Sequence, residues 1–303
     1  MNDPGVLQNF LTVDLEDWFH GNYQGAPRHY SISTVVDDTA RLLGVLARNG
    51  VRATFFCLGQ VAVASPTLIK RVHAAGHEIA SHGQNHCLAY SQSPEEFRAD
   101  VLECKRRLED ITGEKVVGYR APSWSITTAN LWALEVLEEM GFVYDSSIFP
   151  IKTYLYGVQG APRFPYVPRI AGRVMSLVEI PPSTFRIGGW NVGFAGGFYL
   201  RALPTWIQLQ WARSTNRKGK PFMLYVHPRE VEAQQQLRLP LNVTERLIYY
   251  WAIHKTEAKL EAFFRRFECT RIRDVIVVGK AALPTLSVSG CGSGAASAKE
   301  ATR

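Results

Sequence analysis

Cysteine is scarce in this chain. Its five residues (Cys57, Cys87, Cys104, Cys269 and Cys291) are odd in number and form no CxxC pair. That argues against a disulfide framework and fits a reducing compartment. No stretch approaches the run of about 18 apolar residues that a membrane span requires. The start, "MNDPGVLQNF", lacks the basic and apolar regions of a secretory leader. A soluble, cytoplasmic protein with no stable membrane insertion is expected. Long basic runs are missing too. The net charge of +7, from 34 Lys and Arg against 27 Asp and Glu, is scattered. Its short clusters, such as Lys105-Arg106-Arg107 and Arg265-Arg266, read as solvated helix faces. With no aromatic–basic interleaving, nucleic acid is not an expected partner.

What remains is an ordinary globular composition, 46% apolar and 20% charged, with enough apolar side chains for a sizeable core. At 303 residues the chain exceeds a typical domain but suits one barrel-like α/β unit. Short β-branched or aromatic runs alternate with longer helical patterns. Strands are expected at "FLTVDL", "VRATFFCL", "HEIAS", "VVGYR" and "FVYDSS", with four helices between them. Ser93-Pro94-Glu95-Glu96 opens one helix and Gly113 closes it. From Ile148 to Trp190 the pattern loosens, with one strand candidate at "VMSLVEI"; such a long connection often lines a site. A helix over "PTWIQLQWARSTN", the strand "FMLYVH", a long helix from Thr244 to Phe267 and a last strand "DVIVVG" follow. Residues 1–283 read as one domain, and 284–303, rich in Ser, Gly and Ala, as a disordered tail.

Strands alternating with helices imply a parallel sheet, and six or seven units favour a barrel, complete or incomplete. Active groups then sit after the strand C-termini. The chemically capable residues obey that rule. Asp14, Glu16 and Asp17 close the first strand, His82 and His86 follow the third, Arg120 the fourth and His227 the late one. Three carboxylates at one strand end repel each other unless a cation relieves them. Taken singly, each acid reads as a cap or a solvated turn. His82 and His86, four apart in "SHGQNH", would share a face if the chain coils there into a helical turn. Two histidines with one carboxylate and an open position is the pattern of a catalytic divalent site, with zinc the default ion. Most HxxxH pairs are merely surface imidazoles. In "GYRAPSWSIT", Pro122 fixes a loop that projects Arg120 and Trp124. Arg120 is suited to pair with a pocket acid, and Trp124 to stack on a sugar; the plainer reading is a surface arginine on a loop. His227 is either a satisfied structural histidine or a general acid.

"TVDLED", "ATFFCLG", "GHEIASHGQNH", "YRAPSWS", "YDSSIFP" and "LYVHP", in this order, resemble the polysaccharide deacetylase family (NodB-homology domain, carbohydrate esterase family 4). The closest likeness is to an exopolysaccharide- and exosortase-associated subgroup, whose C-terminal half includes "EIPPSTFRIGG" and "AGGFYLRALP". The similarity runs from about residue 10 to about residue 267, with the NodB-homology core over about 10–150. It implies a deformed, incomplete (β/α) barrel, one divalent metal and hydrolysis of N-acetyl groups on amino sugars of an oligo- or polysaccharide. On the matching positions, Asp14 would be the catalytic base and Arg120 the arginine that orients it. His82 and His86 would bind the metal, Pro122 and Trp124 would wall the groove, and His227 would be the catalytic acid. The first motif departs from the usual Asp-Asp-Gly, so either Glu16 or Asp17 is the carboxylate ligand. Other hydrolases on this fold act on O-acetyl esters or small cyclic amides, and a carbohydrate-binding homologue without catalysis is the rival of a different class.

Overall fold

The protein is described by a computed structural model covering residues 7–21, 33–151, 153, 156–231, 241–279 and 283–288. The first half alternates as its sequence pattern implies: β1 (Asn9–Leu15), α1 (Val35–Arg48), β2 (Thr54–Cys57), α2 (Gly59–Ala64), α3 (Pro66–Ala74), β3 (Glu78–Ser81), α4 (Pro94–Thr112), β4 (Gly118–Tyr119), α5 (Trp132–Glu139) and β5 (Tyr144–Asp145). Local chemistry sets the ends of α4. The Ser93 side chain accepts from the backbone of Glu96, and the Glu96 carboxylate accepts from the backbone of Ser93, a capping box. Gly113, at φ 71°, closes the helix in the left-handed region.

The second half is less regular. It holds β6 (Val167–Ile170), β7 (Arg173–Val174), β8 (Val178–Glu179), β9 (Thr184–Ile187) and β10 (Trp190–Gly193). Then come α6 (Gly197–Ala202), α7 (Thr205–Asn216), β11 (Met223–Val226), α8 (Val243–Tyr250), α9 (Thr256–Phe264), β12 (Cys269–Thr270), α10 (Ile272–Gly279) and β13 (Thr285–Ser287).

The main sheet runs β11-β1-β2-β3-β4-β5-β8, with β12 also against β1, and every pairing in it is parallel. Its end strands, β8 and β11, do not pair with each other. The sheet therefore curls without closing, the incomplete (β/α) barrel expected. The residues after β8 span the gap: Ser183 accepts from the Met223 amide at 2.6 Å, and Gly196 bridges Tyr225. Side chains alternate along each strand. Leu11, Val13, Phe55 and Cys57 pack outward under the helices. Phe10, Phe56, Ala80, Tyr144, Val178 and Met223 pack on the other face, joined by Ile272 and Ile276. Asp14 shares the face of Phe10 and Thr12. The apolar cluster thus floors one end of the barrel and leaves the polar groups at the other.

Several expectations fail here for identifiable reasons. "DVIVVG" is not a strand but part of α10, because Ile272 and Ile276, four apart, both bury in the inner cluster. The single helix expected from Thr244 breaks at Ala252, whose φ is 52°. Arg201 draws off the carbonyls of Ile248, Tyr249 and Trp251 at that point, so α8 ends. "VMSLVEI" contributes only the two residues of β8 and the end of β7. A two-residue turn, Gly188-Gly189, with φ of 53° and 89°, makes β9 and β10 a hairpin that period counting misses. The first residues of the expected tail are ordered: β13 pairs with β6 and Val288 is buried. Residues 289–303 of that tail lie outside the described residues. Cys57, Cys87, Cys104 and Cys269 are free thiols, and Cys291 also lies outside the described residues. No helix among the described residues is long and apolar enough to cross a membrane.

Ending the chain at Pro284 removes β13 and the buried Val288. We expect a loss of about 1–3 kcal/mol, lowering the calorimetric melting temperature by several degrees. An unchanged melting temperature would show that this strand contributes nothing.

Candidate active site

Asp14 and Arg120 meet at the polar end of the barrel. Arg120 has no solvent exposure at all, so its charge must be met internally. It is. Nη1 donates to Asp14 Oδ1 at 2.6 Å and to Thr12 Oγ1 at 3.1 Å. Nη2 donates to Ser146 Oγ at 2.9 Å, and Nε to the Ser146 carbonyl at 3.3 Å. The guanidinium lies 4.1 Å from the centre of the Phe56 ring and 5.5 Å from that of Trp124. One carboxylate oxygen of Asp14 is thereby committed, and Oδ2 faces His227 Nε2 at 3.9 Å.

Glu16, His82 and His86 form the second group. Their candidate ligand atoms lie within 4.8 Å of one another, and all three residues are buried. Among the described residues no other set of three such groups comes together. Glu16 Oε2 is 2.6 Å from His86 Nε2 and 3.8 Å from His82 Nε2. His82 Nδ1 lies 2.8 Å from the Arg120 carbonyl, which can only accept, so Nδ1 carries the proton and Nε2 the lone pair. Burial holds the His82 pKa down to about 4, keeping the ring neutral. Burial pushes the Glu16 carboxyl up, but His86, then His227 and His82, outweigh it and hold it well below the ordinary range. Two imidazoles and one carboxylate converging in a buried pocket fit a divalent ion such as zinc.

The histidines do not meet by the helical turn that the spacing suggested. The chain past β3 bends, with Gly83 at φ 76° and His86 at φ 54°, and the rings come to 5.4 Å between centroids. Two neighbours hold the bend. Asp100 of α4 accepts from the amides of Gln84 (2.7 Å) and Asn85 (3.1 Å). The first amides of α2, from Gly59 and Gln60, donate to the carbonyls of Gly83 and Gln84. Asp100 was not singled out in the sequence, because nothing near Asp100 marks it.

The two carboxylates left open by the sequence separate cleanly. Asp17 faces away from the histidines: it accepts from the amides of Trp18 (2.9 Å) and Thr34 (3.3 Å) and from the Ser33 hydroxyl. Consecutive side chains past a strand end point apart, and Asp17 is used to secure the start of α1. Asp17, expected as a candidate ligand, is instead a structural anchor, and Glu16 is the carboxylate that stands beside the two histidines.

His227, just past β11, faces the same space with Nε2, 3.7 Å from Glu16 Oε1. Its Nδ1 lies 3.2 Å from Glu230 Oε2, which also accepts from the His227 amide at 3.0 Å. A carboxylate only accepts, so Nδ1 carries a proton and Nε2 is the exchangeable position. Glu230 is itself fixed by Arg201 Nε at 2.9 Å. Burial pushes the Glu230 carboxyl up, and Arg201 and His227 together bring it well below the usual range. Neither Glu230 nor Arg201 was singled out in the sequence; "HPRE" offered a carboxylate three positions after His227 as the one available signal.

These groups open into one cavity of about 340 Å³, walled by Trp124, Tyr156, Tyr199 and Tyr225. Ser123 and Trp124 both have left-handed backbones, φ 53° and 47°, which turns the indole toward Tyr225, 4.6 Å away between ring centres. Pro122 is buried in that turn but does not line the cavity; it shapes the loop rather than touching its contents.

With this geometry in view, the relatives of the chain are informative. Residues 29–144 match the family model of polysaccharide deacetylase, and residues 146–277 match a domain of unknown function, DUF3473. The first match marks residues 29–144 as a polysaccharide deacetylase domain. The chain is 30% identical over 160 residues to the peptidoglycan deacetylase-like protein FGM2 of Gibberella zeae, covering 48% of this chain and 46% of that protein. It is 32% identical over 103 residues to the peptidoglycan-N-acetylglucosamine deacetylase PgdA of Listeria monocytogenes, covering 34% of this chain and 21% of that protein. The matches thus span less than half the length of these curated relatives. A putative polysaccharide deacetylase from Mycobacterium smegmatis shares the fold, with a TM-score of 0.61 at 20% identity over 95% of this chain and 96% of that one. His82, His86 and Arg120 fall within the first family match; Arg201, His227 and Glu230 fall within the second.

Two tests follow. Glu16→Ala should lose bound divalent metal by elemental analysis and Asp17→Ala should retain it; the reverse would reinstate Asp17. Arg120→Met should destabilise the fold by about 3–5 kcal/mol, because Asp14 is left buried without its partner. A loss below about 1 kcal/mol in denaturant titration would show that the pair is not a structural requirement.

Proposed function

We propose that this protein is a metal-dependent deacetylase that hydrolyses N-acetyl groups on the amino sugars of an oligo- or polysaccharide, in the service of exopolysaccharide synthesis. One observation carries the reading. A buried two-histidine, one-carboxylate group, an arginine-held aspartate and a carboxylate-held histidine share one cavity at the C-terminal ends of a parallel sheet. The names of the curated relatives support it.

Glu16, His82 and His86 would hold the ion, with zinc the choice that suits their donors. A divalent ion in that position supplies Lewis acidity, polarising a carbonyl and acidifying a water. The chain's own groups do the rest. Asp14, one oxygen fixed by Arg120, offers Oδ2 as the base that takes a proton from the attacking water. His227, its Nδ1 fixed on Glu230, offers Nε2 to protonate the departing nitrogen. An amide needs that proton, since an amide anion is too poor a leaving group to depart. Trp124, Tyr199 and Tyr225 give flat apolar faces on which a sugar ring can rest and from which water is excluded.

Acetate release from N-acetylated oligosaccharides, compared with O-acetylated sugars and a small cyclic amide, tests the substrate class directly. The N-acetylated set should be the best. Asp14→Asn should lower turnover by roughly two to four orders of magnitude while keeping metal. His227→Ala should depress amide hydrolysis far more than that of an activated aryl acetate, whose phenolate leaves unaided. An unchanged amide-to-ester ratio would return His227 to a structural role. Glu230→Gln should cost about tenfold or more in turnover with metal content unaltered; full turnover would show that orientation of His227 does not depend on it.

A further inference from the structure

A second cavity, of about 480 Å³, lies beside the active one against the β9–β10 hairpin, and Thr153 and Tyr199 line both. Among the described residues its wall carries two guanidinium groups, Arg163 and Arg186, and no carboxylate. Arg163 is anchored through Nε to Thr184 Oγ1 at 3.1 Å and through Nη2 to the Thr184 carbonyl at 2.6 Å, neither of them an acid. Arg186 is exposed on β9, and neither arginine has an ion pair among the described residues. Elsewhere the fold pairs its cationic clusters readily, as Arg48 with Glu257 and Glu261 shows. Burial and the like charge of Arg186 push Arg163 down from its ordinary value, the mark of positive charge without a counterion.

The same wall presents Trp190, 71% exposed at the hairpin turn. A large exposed indole beside a cavity is surface suited to contact. The hairpin is not loose: Asn191 donates to the Pro150 carbonyl at 2.8 Å, and β9 and β10 pair over four residues each. The subsite is therefore built before any ligand arrives, which reduces the cost of ordering on binding.

We propose that this second cavity binds a carboxylate-bearing sugar, of the uronate class, within the same glycan whose N-acetyl group enters the active cavity. A planar carboxylate suits the guanidinium fork, the flat face of the ring suits Trp190, and a wall shared at Tyr199 suits two sugars of one chain. The assignment rests on the deacetylase reading and deepens it: the substrate is an acidic glycan, not a neutral one.

The test is calorimetric binding of two probes to Asp14→Asn protein, chosen so that substrate is not consumed. One is a hexasaccharide alternating N-acetylglucosamine and glucuronate; the other is the neutral hexamer of N-acetylglucosamine. The acidic probe should bind about three- to tenfold tighter, with a salt dependence that the neutral one lacks. Adding Arg186→Gln should bring the ratio toward one, and Arg186→Lys should restore only part of it, because an ammonium keeps the charge but lacks the fork. Arg186 is exposed, so these replacements leave the fold intact. Equal binding of both probes, or a ratio indifferent to Arg186→Gln, would overturn the proposal. Acetate release by the wild-type enzyme is followed in parallel. If it releases none from any saccharide, the deacetylase reading fails, while the binding ratio still decides the subsite.

Discussion

The buried guanidinium of Arg120 is the constraint on which the rest of this site depends. A charge removed from water is tolerated only when every donor is met, and here Asp14, Thr12, Ser146 and the faces of Phe56 and Trp124 meet it. Those partners come from β1, β2 and the segments after β4 and β5, so one side chain ties together four separate parts of the barrel mouth. Its backbone matters as much: the Arg120 carbonyl sets the tautomer of His82. The position of the Asp14 carboxylate and the lone pair at His82 Nε2 are thus two consequences of one residue.

The opposite side of the cavity is held by a second buried pair. Arg201 spans from Glu230, behind His227, to the last carbonyls of α8. Those carbonyls are unsatisfied at any helix end, and the guanidinium supplies what the helix itself cannot. Folding of α8 and orientation of His227 are therefore coupled through one side chain. Between the two arginine-centred networks, left-handed backbones at His86, Ser123 and Trp124 aim functional side chains inward. Non-glycine residues hold that conformation at a cost, and it persists because the surrounding loops are pinned, as Asp100 pins the histidine bend.

Much of this was legible in the chain itself. The order of strands and helices up to Asp145 follows from period and capping, and the strand-end positions of Asp14, His82 and His227 bring them to one cavity, with Arg120 bonded to Asp14. Legibility failed where tertiary context overrides local pattern. Ile276 belongs to a β-branched run, "DVIVVG", that reads as a strand until the barrel floor claims it, together with Ile272, for a helix. Asp17 and Glu16 are chemically alike, and only the direction of the chain past Leu15 tells which faces the histidines. Arg201 and Asp100 act on residues distant in sequence, which no local pattern marks, whereas Glu230 stands only three positions after His227, the one partner with a local signal. The His82–His86 spacing suggested a helical turn, but a bend brings the two rings together.

The central claim is that Glu16, His82 and His86 are one metal centre flanked by Asp14 and His227. X-ray anomalous scattering at the zinc edge, from crystals of the protein grown with zinc, addresses it without recourse to activity. The account requires one dominant peak bonded to the Glu16 carboxylate and to Nε2 of both histidines, with Asp17 still on Thr34 and Ser33. A peak on Asp17, or none at the two histidines, would contradict it.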